Sequence, residues 1–92
     1  MMHVLVMYDI SNDRTRSKVI IACEDYGLDR VQFSAFYGKL ARVHQRELMA
    51  RVKDLIKAQQ ERAVVYLLTI GEDDWKKRIE YKVEAKEGDE PC

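Results

Sequence analysis

The sequence predicts an α+β sandwich in which two helices cover one face of an antiparallel sheet. Two observations support this prediction, the first for the fold class and the second for a single ordered domain. Short apolar runs with strand character alternate with two longer stretches whose apolar residues recur at helical spacing. The chain has 92 residues, of which 47% are hydrophobic and 35% charged, so it suits one domain and is too apolar for a disordered chain. We therefore expect a single domain with a modest core.

The chain opens with a strand and then a helix. Residues 3–9 contain the run Val4-Leu5-Val6-Met7-Tyr8, which is apolar on both faces of a strand and predicts a central position in the sheet. Residues 12–26 change to a helical period, with Asn12 as the expected N-cap and Gly27 as the expected end. The apolar face of this helix consists of Val19, Ile20, Cys23 and Tyr26.

A second strand and a second helix follow. Residues 31–37 are rich in β-branched and aromatic side chains and end at Gly38, which predicts a strand. The second helix is expected over residues 42–60, where an apolar stripe recurs at helical spacing. The stripe consists of Leu48, Met49, Val52, Leu55 and Ile56.

The last part predicts a third strand at residues 63–70, apolar on both faces and ended by Gly71. Residues 73–78 are expected to form one helical turn around Trp75. A fourth strand is expected at residues 79–83, where Ile79, Tyr81 and Val83 alternate with polar residues. We assign the order βαββαβ, that of a ferredoxin-like sandwich, with the first and third strands in the middle.

The face of the sheet away from the helices predicts a homodimer. Two central strands that are apolar on both faces would expose a patch too large for a monomer. A twofold dimer packed sheet against sheet would cover the patch, and a C-terminal tail that folds back is the alternative. We expect the domain to span residues 1–83 and residues 84–92 to form an acidic, flexible tail.

Composition excludes several classes of protein. No apolar run approaches the roughly 18 residues of a membrane span, and the N-terminus lacks the basic region of a secretory signal, so we expect no membrane contact and a cytoplasmic location. Cys23 and Cys92 indicate neither a disulfide framework nor a zinc site. The chain has 16 basic and 16 acidic residues. Residues 1–62 contain 11 basic and 8 acidic residues, whereas residues 63–92 contain 5 basic and 8 acidic residues.

Asp9 is the first candidate for chemistry, because it stands where a strand ends and a helix begins. An ordinary turn residue is the alternative. Arg16 lies on the sheet-facing side of the helix and is expected to point toward the end of the first strand. It suits a structural ion pair with the carboxylate, or a clamp in which Arg16, Arg14 or Lys18 binds a backbone phosphate beside Asp9.

A single carboxylate is a poor magnesium site, because Mg²⁺ prefers six oxygen ligands in octahedral geometry. A twofold axis near the end of the first strand would add a second carboxylate, so that Asp9 of both chains would bind one metal. Such a metal would activate water for cleavage of a phosphodiester.

The second helix carries a row of basic side chains. At 100° per residue they fall within an arc of about 60°, beside the apolar stripe. Like charges four residues apart mildly destabilise a helix, which favours a polyanionic partner. The alternative is a solvated face relieved by Glu47 and Asp54. The row consists of Arg42, Arg46, Lys53 and Lys57.

Taken together, these residues resemble the small CRISPR-associated Cas-two family, over about residues 4 to 83. The likeness is strongest in Tyr8-Asp9-Ile10 at the end of the first strand, in Arg16, and in Tyr26-Gly27-Leu28-Asp29-Arg30-Val31-Gln32-Phe33-Ser34-Ala35-Phe36. A basic helix and Tyr66-Leu67-Leu68-Thr69-Ile70 complete it.

The resemblance implies a homodimeric ferredoxin-like protein of CRISPR spacer acquisition that bridges integrase subunits. It also implies a metal-dependent endonuclease acting on single-stranded RNA or double-stranded DNA. Asp9 would bind Mg²⁺, or Mn²⁺ in its place, with Tyr8, Arg16, Arg30 and Phe36 as its catalytic companions. Relatives often carry a second arginine where this chain has Lys18, which keeps the charge but loses the bidentate fork.

Two other functions stay open. In the first, the dimer is a non-catalytic scaffold that binds duplex DNA through the second helix and recruits the integrase. In the second, the protein is a toxin-like ribonuclease that degrades messenger RNA. The family likeness also implies that the C-terminal strand, residues 79–83, crosses to the partner's sheet.

Overall fold

The computed structural model describes residues 1–84 of the chain. The strands are β1 (Met2–Ile10), β2 (Asp29–Gln32), β3 (Ala35–Leu40) and β4 (Ala63–Ile70). The helices are α1 (Asp13–Asp25), α2 (Arg42–Lys57) and the short α3 (Glu72–Lys76). None of these helices has the length and apolar character needed to span a membrane.

The four strands form one antiparallel sheet in the order β2-β3-β1-β4. Alternate residues of β1 point to opposite faces, and Val4, Val6, Tyr8 and Ile10 are buried against α1 and α2. The predicted ferredoxin-like α+β fold is therefore confirmed, with the order βαββαβ before α3. The expectation that residues 63–70 are central is wrong, because β4 lies at a sheet edge beside β1.

The prediction of one strand over residues 31–37 is also wrong. The segment is a hairpin in which β2 and β3 are joined at Phe33 and Ser34. No glycine, proline or asparagine marks this turn in the sequence, so its composition resembles an unbroken strand. Gly38 lies inside β3, where an added Cβ would approach Leu28 Cδ2 to 2.6 Å.

The predicted strand at residues 79–83 is not formed in the part of the chain that the structure describes. Ile79, Tyr81 and Val83 are 85%, 94% and 98% exposed. An alternating pattern forms a strand only when it pairs with a sheet edge, and within the described residues this segment pairs with neither β2 nor β4. Of the expected tail, residues 85–92 lie outside the described residues.

The helices form close to their predicted bounds. Asn12 Oδ1 accepts a hydrogen bond from the Thr15 backbone N–H at 2.9 Å, which confirms the N-cap of α1. Gly27 ends this helix with φ +79°, the left-handed conformation that favours glycine. The second helix ends at Lys57 rather than at residue 60. The short α3 confirms the turn around Trp75.

The sheet face away from the helices, here called the open face, is partly covered. Leu5 and Met7 of β1 lie on it half-buried, and Tyr66 and Leu68 of β4 are 59% and 43% exposed. At one end Trp75 of α3 stacks on the ring of a β3 tyrosine at a centroid distance of 3.9 Å. The rest of this face is an apolar surface in a single chain.

Candidate functional site

A shallow cleft of about 400 Å³ lies at the sheet end where β1 finishes. Three elements build it: the end of β1, the first turns of α1, and the β2–β3 hairpin. It contains four of the five predicted catalytic residues. Its lining side chains are Tyr8, Asp9, Ile10, Arg16, Arg30, Phe33 and Ser34.

Asp9 lies on the open-face side of β1, in alternation with the buried Tyr8. Its side chain is 70% exposed, and Arg62 Nε donates to Asp9 Oδ2 at 3.3 Å. Arg62 is held there because β1 and β4 pair up to Ile10 and Ala63. An exposed pair of this kind stabilises the fold little, so Asp9 is free to exchange Arg62 for another partner.

Arg62 is not among the residues that the sequence predicts for the site. The signal for it was available, since antiparallel pairing of the first and third predicted strands places the residue before the third strand beside the end of the first.

Arg16 reaches the end of β1 as expected, but it does not pair with Asp9. Its Nη1 donates to the carbonyl oxygen of Ile10 at 2.8 Å, and its Nη2 donates to the carboxylate of Asp13. The expected ion pair with Asp9 is therefore wrong, because Asp13 lies one helical turn away on α1 and satisfies the guanidinium first. The Arg16 side chain is 38% exposed and adds positive charge to the cleft.

Tyr8 and Arg30 converge on the turn of the hairpin. The Tyr8 hydroxyl donates to the carbonyl oxygen of Phe33 at 2.7 Å, and Arg30 Nη2 donates to the same oxygen at 2.6 Å. Burial raises the pKa of Tyr8 above its usual 10, against the opposing effect of Arg30, so the phenol stays protonated at neutral pH. These two side chains fix the wall of the cleft.

Phe36 is fully buried and does not line the cleft. Its ring lies beneath that of Tyr8, with a centroid distance of 6.3 Å and an interplanar angle of 29°. Because the side chain points into the core from β3, it has no access to a substrate, and its contact with the site is through Tyr8.

Arg14 and Lys18 lie outside the cleft of Asp9. They line a separate groove of about 570 Å³ between α1 and α2, together with Arg51 and Asp54. Of the three basic residues expected to bind a phosphate beside Asp9, only Arg16 lines the cleft. The reason is the helical period, which turns positions 14 and 18 away from the face that carries position 16.

The cleft of one chain does not by itself suit a magnesium ion. Asp9 is its only carboxylate, and two guanidinium groups line the same space. Within residues 1–84, no group of three or more His, Cys, Asp or Glu side chains is placed to bind a metal. Mg²⁺ prefers six oxygen ligands, so Asp9 alone makes an incomplete protein site in one chain.

The four residues of the basic row lie on α2, as predicted. All four side chains are exposed, and none makes a salt bridge with another residue of the described chain. Glu47 and Asp54 therefore form no ion pair that relieves the row. At 1.5 Å per residue the row spans roughly 22 Å. It consists of Arg42, Arg46, Lys53 and Lys57.

A family model described as CRISPR associated protein Cas2 matches residues 2–78. The chain is 46% identical over 77 residues to "CRISPR-associated endoribonuclease Cas2 2" of Chloroflexus aurantiacus, which covers 84% of this chain and 88% of the relative. It is 41% identical over 64 residues to "CRISPR-associated endoribonuclease Cas2" of Desulforudis audaxviator, covering 70% of this chain and 60% of the relative.

Solved structures give the same likeness. The crystal structure of Streptococcus pyogenes Cas2 at pH 6.5 matches with a TM-score of 0.72 and 25% identity, over 89% of this chain and 100% of that one. A chain of a partial Cas6-RT-Cas1--Cas2 complex matches with a TM-score of 0.72 and 28% identity, over 87% of this chain and 90% of that one.

Proposed function

This chain belongs to the family of CRISPR-associated protein Cas2, and we propose that it is a metal-dependent endonuclease of CRISPR spacer acquisition. The observation that supports this activity is an exposed Asp9 at the end of a central strand, in a cleft that also contains Arg16 and Arg30. The relatives named as endoribonucleases support the same reaction. The substrates proposed are single-stranded RNA or double-stranded DNA, cut at a phosphodiester bond.

In this mechanism the two guanidinium groups bind and orient the phosphate. Arg16 and Arg30 are each held by a backbone carbonyl, so they present their charge in fixed positions. Fixed positive charge of this kind stabilises the negative charge that develops on a phosphate during hydrolysis. Tyr8 keeps the hairpin wall in place through its hydrogen bond to Phe33.

We further propose that two chains assemble the metal site. Asp9 lies on the same side of β1 as Leu5 and Met7, so a dimer formed through the open face would bring two copies of Asp9 toward each other. Two carboxylates and water suit Mg²⁺, or Mn²⁺ in its place. When bound, such a metal acts as a Lewis acid and makes water nucleophilic at neutral pH.

The homodimer is supported by two exposed features. Tyr66 and Leu68 leave an apolar surface on the open face, and the alternating segment 79–83 is exposed and pairs with no strand within the described chain. Because β4 is an edge strand, we propose that this segment pairs with the partner's sheet.

The dimer is tested by light scattering after size exclusion. Leu68→Glu and a truncation after Ile70 are each expected to give monomers, because they remove apolar burial or the exchanged strand. Ile21→Glu is the matched control and is expected to stay dimeric, because Ile21 is an apolar residue of similar exposure on α1. Dimers that persist in both test variants would contradict the proposed interface.

The nuclease is tested with labelled single-stranded RNA and labelled duplex DNA, each with Mg²⁺, with Mn²⁺ and with EDTA. We expect cleavage by the wild type that requires metal and is abolished by Asp9→Asn. Asp25→Asn is the matched control, because Asp25 pairs with Arg51 on the surface away from the cleft. Cleavage that survives in Asp9→Asn would assign the activity elsewhere.

A scaffold function is the second proposal, and the unpaired basic row of α2 supports it. In it the dimer binds duplex DNA through this row and joins the integrase. Two relatives support an integrase partner: the protein in the complex with Cas1, and a Thermoproteus tenax protein named as a fusion of Cas1 and Cas2 endonucleases, 41% identical over 51 residues. The two functions are compatible, because the row lies on α2 and the cleft does not.

A further inference from the structure

An exposed aromatic ring stands at the rim of the Asp9 cleft. Phe33 occupies the turn between β2 and β3, and it is 75% exposed. It lines the cleft of Asp9 and also a second concavity of about 330 Å³, whose other lining residues are Arg30, Val31 and Gln32. A large apolar ring at a turn contributes little to the fold, because it buries little surface there.

The backbone under this ring is held by three hydrogen bonds. The Phe33 carbonyl oxygen accepts from Tyr8 and from Arg30, and the Tyr8 backbone N–H donates to the Ser34 carbonyl at 3.0 Å. The turn is therefore anchored to β1 beside Asp9. A ring on an anchored backbone loses little conformational freedom when it binds a partner.

The charges around the ring favour a nucleotide as that partner. The guanidinium carbon of Arg30 lies 5.9 Å from the centroid of the Phe33 ring, within the range of a cation–π contact. Arg16 lines the same cleft. An aromatic face beside two guanidinium groups matches a ligand that joins a flat base to a phosphate.

We propose that Phe33 stacks on an unpaired nucleobase and thereby positions the neighbouring phosphate at Asp9. The inference rests on the proposed nuclease function and adds a preference to it: bases of a duplex are already stacked, so the ring favours single-stranded substrate. Phe33 is a binding residue in this account. Tyr8 acts through it as a positioning residue, and Arg30 both holds the turn and binds the phosphate.

The test measures binding without cleavage. Fluorescein-labelled single-stranded RNA is titrated in EDTA and followed by anisotropy, with wild type, Phe33→Ala, Phe33→Trp and the control Ile21→Ala. The same RNA is also made with one abasic nucleotide at each position in turn. Phe33→Ala is expected to weaken binding by about tenfold, as the loss of one stacked base does, while Phe33→Trp and Ile21→Ala bind like the wild type.

The abasic series identifies the base. In the wild type, one abasic position should weaken binding about as much as Phe33→Ala does, and in Phe33→Ala that position should have no further effect. Thermal unfolding of each variant shows that the fold is kept.

Equal affinity of Phe33→Ala and wild type would overturn the inference, as would an abasic effect that is the same in both. If that happens while Asp9-dependent cleavage is intact, only the stacking role fails. If the wild type does not bind the single-stranded RNA, the inference fails. The proposal that single-stranded RNA is a substrate then fails as well.

Discussion

Tyr8 and Phe33, 25 residues apart in sequence, are joined by a hydrogen bond of 2.7 Å from the phenol hydroxyl to the main-chain carbonyl oxygen. The bond ties the end of β1 to the turn of the β2–β3 hairpin. Asp9 follows Tyr8 directly, so the same contact sets the distance between the candidate metal ligand and the wall of its cleft.

Loss of the Tyr8 hydroxyl should loosen the hairpin. Tyr8→Phe removes one hydrogen bond, while Arg30 still donates to the same oxygen, so we expect a loss of about 1 kcal/mol in the free energy of unfolding. Urea unfolding measures this change. Tyr26→Phe is the control, because the Tyr26 hydroxyl makes no hydrogen bond within residues 1–84. An unchanged midpoint in Tyr8→Phe would show that Arg30 alone holds the turn.

Cys23 should make stability fall in alkali. Burial raises the pKa of its thiol from 9.0 to about 11, with Glu24 adding to the rise and Arg51 opposing it. The unfolded chain releases the proton near pH 9, whereas the folded protein keeps it to about pH 11. The free energy of unfolding therefore decreases between these values, by on the order of 2 kcal/mol.

Chemical denaturation at a series of pH values measures this slope. Cys23→Ala is expected to flatten it, although the variant starts from a lower stability because it leaves a small cavity. In a Cys92→Ser background, native Cys23 should react with a thiol reagent only on unfolding. Rapid labelling of the folded protein at pH 8 would contradict the burial of this thiol.

The basic row of α2 should govern binding to duplex DNA. Replacing Arg42, Arg46, Lys53 and Lys57 by glutamine is expected to weaken binding and to lower the slope of log affinity against log salt by about 3 to 4, since each phosphate contact contributes about 0.9. Anisotropy titrations at several salt concentrations measure both quantities. The control replaces three exposed lysines elsewhere by glutamine: Lys39, Lys76 and Lys77. If the loss of affinity per replaced charge is the same in both variants, the row is ordinary surface.

Much of this fold follows from hydrophobic period. The third predicted strand coincides with β4, and α1 has its predicted N-cap, because a helical face and a short apolar run each specify their own local structure. The turn at Phe33 and Ser34 was not predictable in this way. Its conformation is imposed by hydrogen bonds from Tyr8 and Arg30, which are tertiary contacts that leave no local pattern.

The site also divides into positions that the sequence predicts and contacts that it does not. Asp9 and Arg16 were placed at the end of β1 by the element order alone, and the cleft contains both. The partners of these residues, Arg62 and Asp13, depend on strand register and on competition between nearby carboxylates. Phe36 was assigned to the site only through the family resemblance, and its side chain is buried against Tyr8 outside the cleft.

We propose that catalysis needs Asp9 from both chains of a dimer, and mixed dimers test this requirement most directly. Wild type and Asp9→Asn are unfolded together at defined ratios, refolded, and assayed for cleavage with Mg²⁺. If both carboxylates bind one metal, only dimers with two wild-type chains act, so an equal mixture retains about a quarter of the wild-type activity. Retention of about one half, in proportion to the wild-type fraction, would mean that each chain acts alone and would contradict the shared site.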